Sequence, residues 1–458
     1  MKLEIKGNTN YTAVVVSIKD KIELEGCDNI CATNIFGNNI IISKDTEIGT
    51  KGLYFPVECS LSEEFLSNNN LFRDKEKNVD KEKAGFFEYH GRIKAMKLRG
   101  YQSAGFFIPI RCLDYLNIDI DNLNENDTFD TIDSNQICKK YIVKHKQQQG
   151  LGNKESRLNK RLKRISKLVD DQFKFHIDTP QLGKEIHKLN PNTFLSISQK
   201  IHGTSFITSK ILVKKKLNII EKILKFMKFN IIDTEYGIIF SSRKVIKNQY
   251  MEDQVKEHQH FYKEDIWGHA SKQLEGFLEN GMTLYGEIVG YLPNSNSYIQ
   301  KPFDYGCKEG EYKIYVYRIT YTNNEGKVFE FSMPQVQEWC AKFGQYSIFH
   351  AVPLIYYGKV KDLFEELWIK HYGDKEKYQK IKRKYGCKEY NYGLFLDLLK
   401  KEYLEKDCDI CQNKVPAEGV VLRPERLYID AYKLKSFRFL KYESKQIDSG
   451  EENIEDSQ

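Results

Sequence analysis

Ser196-Ile-Ser-Gln-Lys200-Ile-His-Gly-Thr-Ser205 is the stretch from which the fold and the chemistry of this chain are inferred. Apolar and polar residues alternate before Lys200, which is typical of a strand with one buried face. Gly203 follows closely, and a glycine turn lets a phosphate approach the backbone. A lysine at this point is placed to attack an electrophilic phosphorus when its amine is neutral. The alternative is a surface lysine at a strand end beside an ordinary turn.

Length and composition limit the classes of protein that fit. The chain has 458 residues, so two or three domains are expected, and 40% hydrophobic with 13% aromatic residues indicates a globular protein. The formal charge of +7 is modest, so the local distribution of charge matters more than the total. Ten cysteines without a secretory leader, and no long apolar run, favour a soluble cytoplasmic protein with reduced thiols and no membrane partner.

Residues 1–135 are predicted to form a β-rich domain, because short β-branched runs alternate there with Gly and Asn. Arg92, Lys94, Lys97 and Arg99 are interleaved with apolar residues and are followed by aromatic ones. On a small β-barrel these positions would form a face that follows a phosphate backbone and stacks on bases. The alternative is that the aromatic residues form the core and the cations are merely solvated.

Residues 136–172 are strongly basic and are predicted to form a linker followed by a helix. This composition fits a nucleic-acid contact, although charge runs are usually only solvated surface. The chain ends in an acidic tail, residues 446–458, which is expected to be disordered. The cations of the basic segment are Lys139, Lys140, Lys144, Lys146, Lys154, Arg157, Lys160, Arg161, Lys163, Arg164 and Lys167.

Residues 173–445 carry an ordered set of polar residues on predicted strands. An arginine follows Lys200, and then come a glycine-flanked glutamate, an aromatic strand, a Glu-Gly pair before a β-run, and a Lys-x-Lys pair. Each feature alone is an ordinary strand residue, and it is their order that is specific. The residues concerned are Arg243, Glu287, Tyr317, Glu418, Arg423, Lys433 and Lys435.

This order resembles the nucleotidyltransferase motifs of ATP-dependent RNA ligases, specifically the subset with Lys-x-His-Gly in motif I. That subset includes the second RNA ligase of phage T4, the trypanosome editing ligases and the Deinococcus-type RNA ligase. The resemblance implies an α+β protein, in which an amino-terminal OB-like β-barrel domain precedes a mixed α/β nucleotidyltransferase domain. The latter would have the ATP-grasp-like antiparallel sheets of the covalent ligase superfamily.

The resemblance also implies roles for the residues around the reacting phosphorus. Lys200 would be the nucleophile that becomes lysyl-AMP, and Lys433 and Lys435 would face the α-phosphate of ATP. Glu418 would act with the divalent metal, Mg²⁺ or Mn²⁺. Arg423 takes the place of a basic residue in the same motif as Glu418 and is expected to contact nucleic acid.

The remaining motif residues would hold the nucleotide. Arg243 is expected to contact the nucleotide or the substrate phosphate, Glu287 the ribose, and Tyr317 would stack on adenine. His202 and Gly203 complete the nucleotide site. His202 stands where DNA ligases and capping enzymes carry Asp, so it favours an RNA ligase.

The activity expected from the resemblance is ATP-dependent sealing of 3′-hydroxyl and 5′-phosphate RNA ends, at nicks in duplexes. ATP and Mg²⁺ or Mn²⁺ would be cofactors, the partner would be RNA or a nicked RNA/DNA duplex, and the protein is expected to be a monomer. A capping-type nucleotidyltransferase is one alternative, opposed by His202 and by the short chain after Lys435. An inactive, ligase-like RNA-binding protein is the other, opposed by the retained motif residues.

Cys408 and Cys411 have zinc-knuckle spacing, with Cys387 and His371 upstream. A structural zinc site needs about four ligands, and one Cys-x-x-Cys pair supplies two. Free thiols are therefore the prediction, and zinc is the alternative.

Overall fold

The structure is a computed structural model that describes residues 1–143, 168–247, 262, 264–344, 348–373, 376, 391–426 and 430–449. Most of the predicted basic segment lies outside the described residues, as do Cys387 and the tail after Ser449. No helix among the described residues is long and apolar enough to cross a bilayer.

The amino-terminal region is β-rich, as predicted. Its helices are α1 (Glu63–Asn68) and short 3₁₀ turns at Thr9–Tyr11, Lys75–Lys77, Ile110–Leu116 and Ile120–Asn122. Its strands are β1 (Leu3–Glu4), β2 (Ala13–Ser17), β3 (Ile30–Ile35), β4 (Asn38–Ser43), β5 (Lys51–Phe55), β6 (Cys59–Leu61), β7 (Ala95–Leu98), β8 (Tyr101–Ala104), β9 (Phe106–Pro109), β10 (Thr128–Phe129), β11 (Thr131–Ile132), β12 (Asn135–Gln136) and β13 (Cys138–Lys140).

These strands pair in small separate sheets. One sheet has the order β10-β2-β5-β9 and another β1-β11-β12, while β3 pairs with β4, β7 with β8, and β6 with β13. Within residues 1–143 this pairing does not close into a barrel, so the OB-like barrel stays a prediction. Because β13 pairs with β6, this region continues to Lys140, past the boundary predicted at residue 135.

The second region contains mixed α/β structure with antiparallel sheets, as predicted. Its helices are α2 (Leu182–Glu185), α3 (Ile219–Phe226), α4 (Ile266–Leu274), α5 (Met333–Gly344), α6 (Val360–Tyr372), α7 (Tyr392–Tyr403) and α8 (Phe437–Asp448), with 3₁₀ turns at Ile186–Lys188 and Glu275–Phe277. Its strands are β14 (Phe194–Lys200), β15 (Thr204–Lys214), β16 (Thr234–Ser241), β17 (Met282–Gly290), β18 (Tyr312–Thr322), β19 (Val328–Glu330), β20 (Phe349–Ala351), β21 (Leu354–Lys359), β22 (Gly419–Pro424) and β23 (Tyr432–Lys435).

Two sheets form the framework of this region. One has the order β21-β14-β22-β23, and the other β16-β15-β17-β18-β19, with β20 added in parallel to β18. Strands β14 and β15 are consecutive but belong to different sheets, so the turn after Lys200 connects the two. The larger apolar core lies under the second sheet around Trp267 and Phe206, and a smaller core packs α6 and α7 on the first sheet.

Helix α8 joins the two regions. It extends to Asp448, so the acidic tail predicted from residue 446 begins later than expected. Ser444 of this helix donates a hydrogen bond to the buried Glu58 carboxylate (2.9 Å), which also binds Arg92. A second contact joins the regions where Asn10 donates a hydrogen bond to the carbonyl oxygen of Thr179 (3.2 Å).

Candidate active site

The pairing of β14 with β22 brings Lys200 and Glu418 together. Lys200 ends β14 and lies opposite Gly419, the first residue of β22, so Glu418 is carried to the same end of the sheet. The Nζ atom of Lys200 is 2.9 Å from Oε1 of Glu418. The Glu418 side chain is only 3% exposed, and a carboxylate so deeply buried needs a charged partner.

The next ladder adds Lys435. Gly419 also pairs with Lys435 of β23, and Nζ of Lys435 lies 3.2 Å from Oε1 of Glu418 and 3.2 Å from Oε2 of Glu443. Lys433 lies two residues earlier, on the same face of the strand, and is buried. Glu418 therefore lies between the amines of Lys200 and Lys435. These three predicted site residues come from distant parts of the sequence.

Two glycines permit this close packing. A Cβ atom on Gly203 would lie 2.5 Å from the carbonyl oxygen of Ile288, and one on Gly419 would lie 2.0 Å from the carbonyl oxygen of Leu434. Gly419 also has a φ of +140°, which side chains with a Cβ rarely adopt. We predicted that Gly203 frees the backbone for a phosphate, whereas the structure shows that close packing against β17 requires it.

His202 lies in an aromatic cage. Its ring meets Phe303 and Phe439 edge-on, each with centroids 4.9 Å apart. Its backbone N–H donates a hydrogen bond to the hydroxyl of Tyr305 (2.6 Å). Its Nδ1 is 3.9 Å from Oε2 of Glu418, so the imidazole borders the same carboxylate as Lys200.

The predicted ribose and adenine contacts lie on the second sheet. Glu287 of β17 pairs with Ser205 of β15, just after the motif I turn. Tyr317 of β18 packs its ring against His176, with centroids 5.3 Å apart. Its hydroxyl is enclosed without a hydrogen-bond partner among the described residues, and burial, reinforced by the charge of Glu287, raises its pKa.

Arg243 follows β16 and forms an ion pair with Asp178. The same carboxyl group accepts a hydrogen bond from the side chain of Asn8 in the amino-terminal region. Asp178 was not predicted as a site residue, because nothing in the sequence around Pro180 distinguishes it from an ordinary loop acid. Glu443 and Tyr305 were missed for a related reason, since each acts through a contact that is distant in sequence.

Two arginines predicted to bind nucleic acid do not occupy suitable positions. The Arg423 side chain is 7% exposed, and its guanidinium lies 3.5 Å from Glu330 and 3.6 Å from Glu425. Arg92 is 1% exposed at its side chain and binds Glu58 through two hydrogen bonds of 2.7 and 2.8 Å. Both are committed to buried protein carboxylates, which corrects the prediction that they face nucleic acid.

The other three cations predicted to contact nucleic acid, Lys94, Lys97 and Arg99, are less buried than Arg92. Lys94 is 2.8 Å from Asp448, so it too is engaged by α8. Lys97 and Arg99 are exposed. These two residues therefore remain the candidates for a nucleic-acid contact in this segment.

The Cys-x-x-Cys pair lies close to motif I. Gln199 contacts Sγ of Cys408 (3.8 Å) and donates a hydrogen bond to Asp409 (3.1 Å). The Cys408 and Cys411 thiols contact each other, and this contact lowers the pKa of Cys408 to about 7. His371 instead pairs with Glu402 (2.9 Å), and the described part of the chain contains no group of three or more side chains suited to hold a metal.

The part of the chain that carries these residues matches a known protein family. The family model described as RNA ligase matches residues 194–442, which include every motif residue from Lys200 to Lys435. No curated protein matches the chain.

Solved structures of an RNA ligase from Naegleria gruberi are similar in fold. A variant with AMP and manganese is 14% identical, covers 94% of this chain and 98% of its own, and has a TM-score of 0.53. A variant with ATP and manganese is 13% identical, covers 97% of this chain and 99% of its own, and has a TM-score of 0.53. The form with pyrophosphate is 15% identical, covers 94% of this chain and 98% of its own, and has a TM-score of 0.52. At these identities the likeness concerns the fold.

Proposed function

The chain belongs to the RNA ligase family, whose model spans more than half of it, and we propose that it is an ATP-dependent enzyme that joins an RNA 3′-hydroxyl to a 5′-phosphate. The observation that carries this proposal is the cluster of Lys200, Glu418 and Lys435. In this cluster Nζ of Lys200 lies 2.9 Å and Nζ of Lys435 3.2 Å from the same oxygen of Glu418, which supports the roles of nucleophile, phosphate-binding cation and metal-binding carboxylate.

In the first step, Nζ of Lys200 attacks the α-phosphorus of ATP. A P–N bond forms, the bond to the bridging oxygen breaks, pyrophosphate leaves, and the amine loses a proton. Attack requires the neutral amine, whereas a carboxylate 2.9 Å away stabilises the ammonium form. Glu418 must therefore turn toward another cation before Lys200 reacts, and the nearby Lys435 then disfavours the charged amine.

We propose that Glu418 makes this change by contributing to a Mg²⁺ or Mn²⁺ site. A carboxylate oxygen is the ligand type that these hard cations prefer, and Mg²⁺ usually binds through one or two carboxylates together with phosphate oxygens and water. When bound, the metal would neutralise charge on the phosphate oxygens.

Arg243, Glu287 and Tyr317 are proposed to hold the nucleotide. They lie on or beside three strands of the sheet that follows the motif I turn. The similar RNA ligase from Naegleria gruberi has been solved with AMP and with ATP. For this chain, we propose ATP as the nucleotide, with Glu287 bound to the ribose and Tyr317 against adenine.

In the later steps, an RNA 5′-phosphate oxygen attacks the AMP phosphorus, breaks the P–N bond and regenerates Lys200. The 3′-hydroxyl then attacks the activated 5′-phosphorus and releases AMP. We propose that a nicked duplex, RNA or RNA/DNA, is the substrate of a monomeric enzyme. A cavity of about 300 Å³ has Lys435 among its lining residues, together with Asn34, Asn38, Gln102 and Lys401, and we propose that it receives a strand end.

Labelling with ATP tests the proposal. Protein incubated with ATP labelled at the α-phosphate and Mg²⁺ should become labelled, in an acid-labile form, and Lys200→Ala should abolish the label. Lys327→Ala is the matched control, because this lysine is exposed and distant in the fold from the motif I turn. Absence of label in the natural protein would contradict an active ligase, and labelling by GTP alone would indicate a capping enzyme.

A further inference from the structure

Helix α3 exposes an apolar face to solvent. It is inserted between β15 and β16, and none of its residues is buried. Ile219 is 76% exposed, Ile220 69% and Phe226 88%. The apolar surface continues through neighbouring residues, which are Ile223 at 53%, Met227 at 53%, Phe229 at 59% and Ile232 at 80%. A contiguous exposed patch of this kind marks an interaction site more often than chance.

Polar contacts hold the helix in place. Asn218 and Glu221 form a capping box, in which each side chain accepts a hydrogen bond from the other's backbone N–H. Lys215 pairs with Glu221 (2.7 Å), and Lys225 pairs with Asp233 (2.6 Å). None of the exposed apolar residues belongs to a hydrophobic core of the described chain. The apolar face is thus oriented without being used for packing.

The opposite face of α3 and its flanks are basic. Between residues 214 and 232 six lysines stand against one acidic residue, Glu221. At helical spacing, Ile219, Ile220, Ile223 and Met227 fall on one side and Lys225 on the other, while Lys222 lies at the border beside Phe226. Apolar side chains beside lysines at the border form the pattern of a helix that lies in a membrane interface.

We propose that α3 and its flanking residues dock on an anionic phospholipid surface. The apolar side chains would enter the boundary between head groups and acyl chains, and the lysines would contact anionic head groups. RNA could use the lysines, but it would leave Phe226 and Ile219 in water. This proposal replaces the expectation that the protein has no membrane partner, and it is independent of the ligase activity.

Docking by α3 would leave the active site open. Strand β15 runs eleven residues from Thr204, beside the motif I turn, to Lys214. At about 3.4 Å per residue, α3 begins roughly 35 Å from that turn. The membrane would therefore position the enzyme at a surface without covering Lys200.

Vesicle sedimentation tests the proposal with the full chain. The protein should bind vesicles of equimolar phosphatidylcholine and phosphatidylserine, bind pure phosphatidylcholine weakly, and lose affinity as salt rises. Ile223→Glu combined with Phe226→Glu should weaken binding more than about tenfold, because two apolar side chains are replaced by carboxylates. Ile48→Glu, at a residue 64% exposed elsewhere, is the control and should bind normally.

Three outcomes would overturn the proposal. They are no binding to anionic vesicles, binding unchanged by the double substitution, and a concentration-dependent dimer that the double substitution dissociates. The last would show that a second copy of the chain covers the face. Formation of labelled protein from ATP should be unchanged in the double variant, which confirms that it is folded and separates a failure here from a failure of the ligase proposal.

Discussion

Replacing Arg92 by Met should destabilise the protein without removing an RNA contact. The guanidinium donates hydrogen bonds to both oxygens of Glu58, to Asp448 (2.9 Å) and to the carbonyl oxygen of Ser444 (3.2 Å). It therefore joins β7 and its neighbours to α8. Truncating it leaves the Glu58 carboxylate buried without its main counter-charge.

The expected loss of stability in Arg92→Met follows from the burial of the Arg92–Glu58 ion pair. Removing one partner of a buried ion pair costs about 3–5 kcal/mol. The Asp448 side chain is 44% exposed, so the loss of its ion pair with Arg92 adds no more than about 1 kcal/mol. Most of the loss should come from Glu58, and adding Glu58→Gln, which removes the buried charge, should recover at least about half of it.

The pH dependence has a defined sign. Burial raises the pKa of Glu58 above its ordinary value even with Arg92 present. The folded state therefore binds this proton more tightly than the unfolded chain does, so protonation favours folding as the pH falls through the raised pKa. Without Arg92, which lowers this pKa, burial raises the pKa of Glu58 further, so the variant gains more stability on protonation and its deficit relative to the natural protein should shrink toward acidic pH.

Equilibrium urea unfolding measures this loss. Far-ultraviolet circular dichroism reports on both regions, whereas the three tryptophans, Trp267, Trp339 and Trp368, all report on the second. Separate transitions would be analysed separately, since a chain of this size need not unfold in two states. An Arg92→Met protein of unchanged stability, with a shallower salt dependence of RNA affinity, would refute the reasoning and restore Arg92 as a phosphate contact.

Three further variants, one of them a double substitution, test the site and the RNA surface. Gly203→Ala should lower stability by about 1–3 kcal/mol and slow adenylylation, because the new Cβ meets the Ile288 carbonyl; normal unfolding and labelling would contradict this. Glu418→Gln should reduce the single-turnover rate of adenylylation about a hundredfold or more, and a near-natural rate would remove this carboxylate from the mechanism. Lys97→Gln with Arg99→Gln should weaken RNA binding and flatten its salt dependence by about one to two in slope, with adenylylation intact; unchanged affinity would make both residues plain surface.

The local pattern predicted the residue types of the site better than their contacts. Lys200, Glu418 and Lys435 are recognisable because each stands at a strand end beside a glycine or an alternating run. They meet because β14 and β23 both pair with β22, a long-range arrangement that sequence alone does not specify. The family resemblance implied that these residues share one site, but it did not predict the strand pairing that brings them together.

The charged residues of the amino-terminal region show where local patterns fail. Arg92 and Lys97 lie in the same alternating segment, yet one is buried in an ion pair and the other is exposed. The difference arises from Glu58 and α8, which are distant in sequence. The strands were predicted from composition, but whether they close into a barrel depends on pairings that composition does not encode.

Locating the bound AMP tests the central claim most directly. After incubation with ATP and Mg²⁺, the protein would be digested and its peptides sequenced by mass spectrometry under conditions that preserve a P–N bond. We predict AMP on Nζ of Lys200, and its loss when RNA with a 5′-phosphate is added. AMP on another residue, or an unmodified Lys200 peptide in protein that nevertheless seals RNA, would contradict the account.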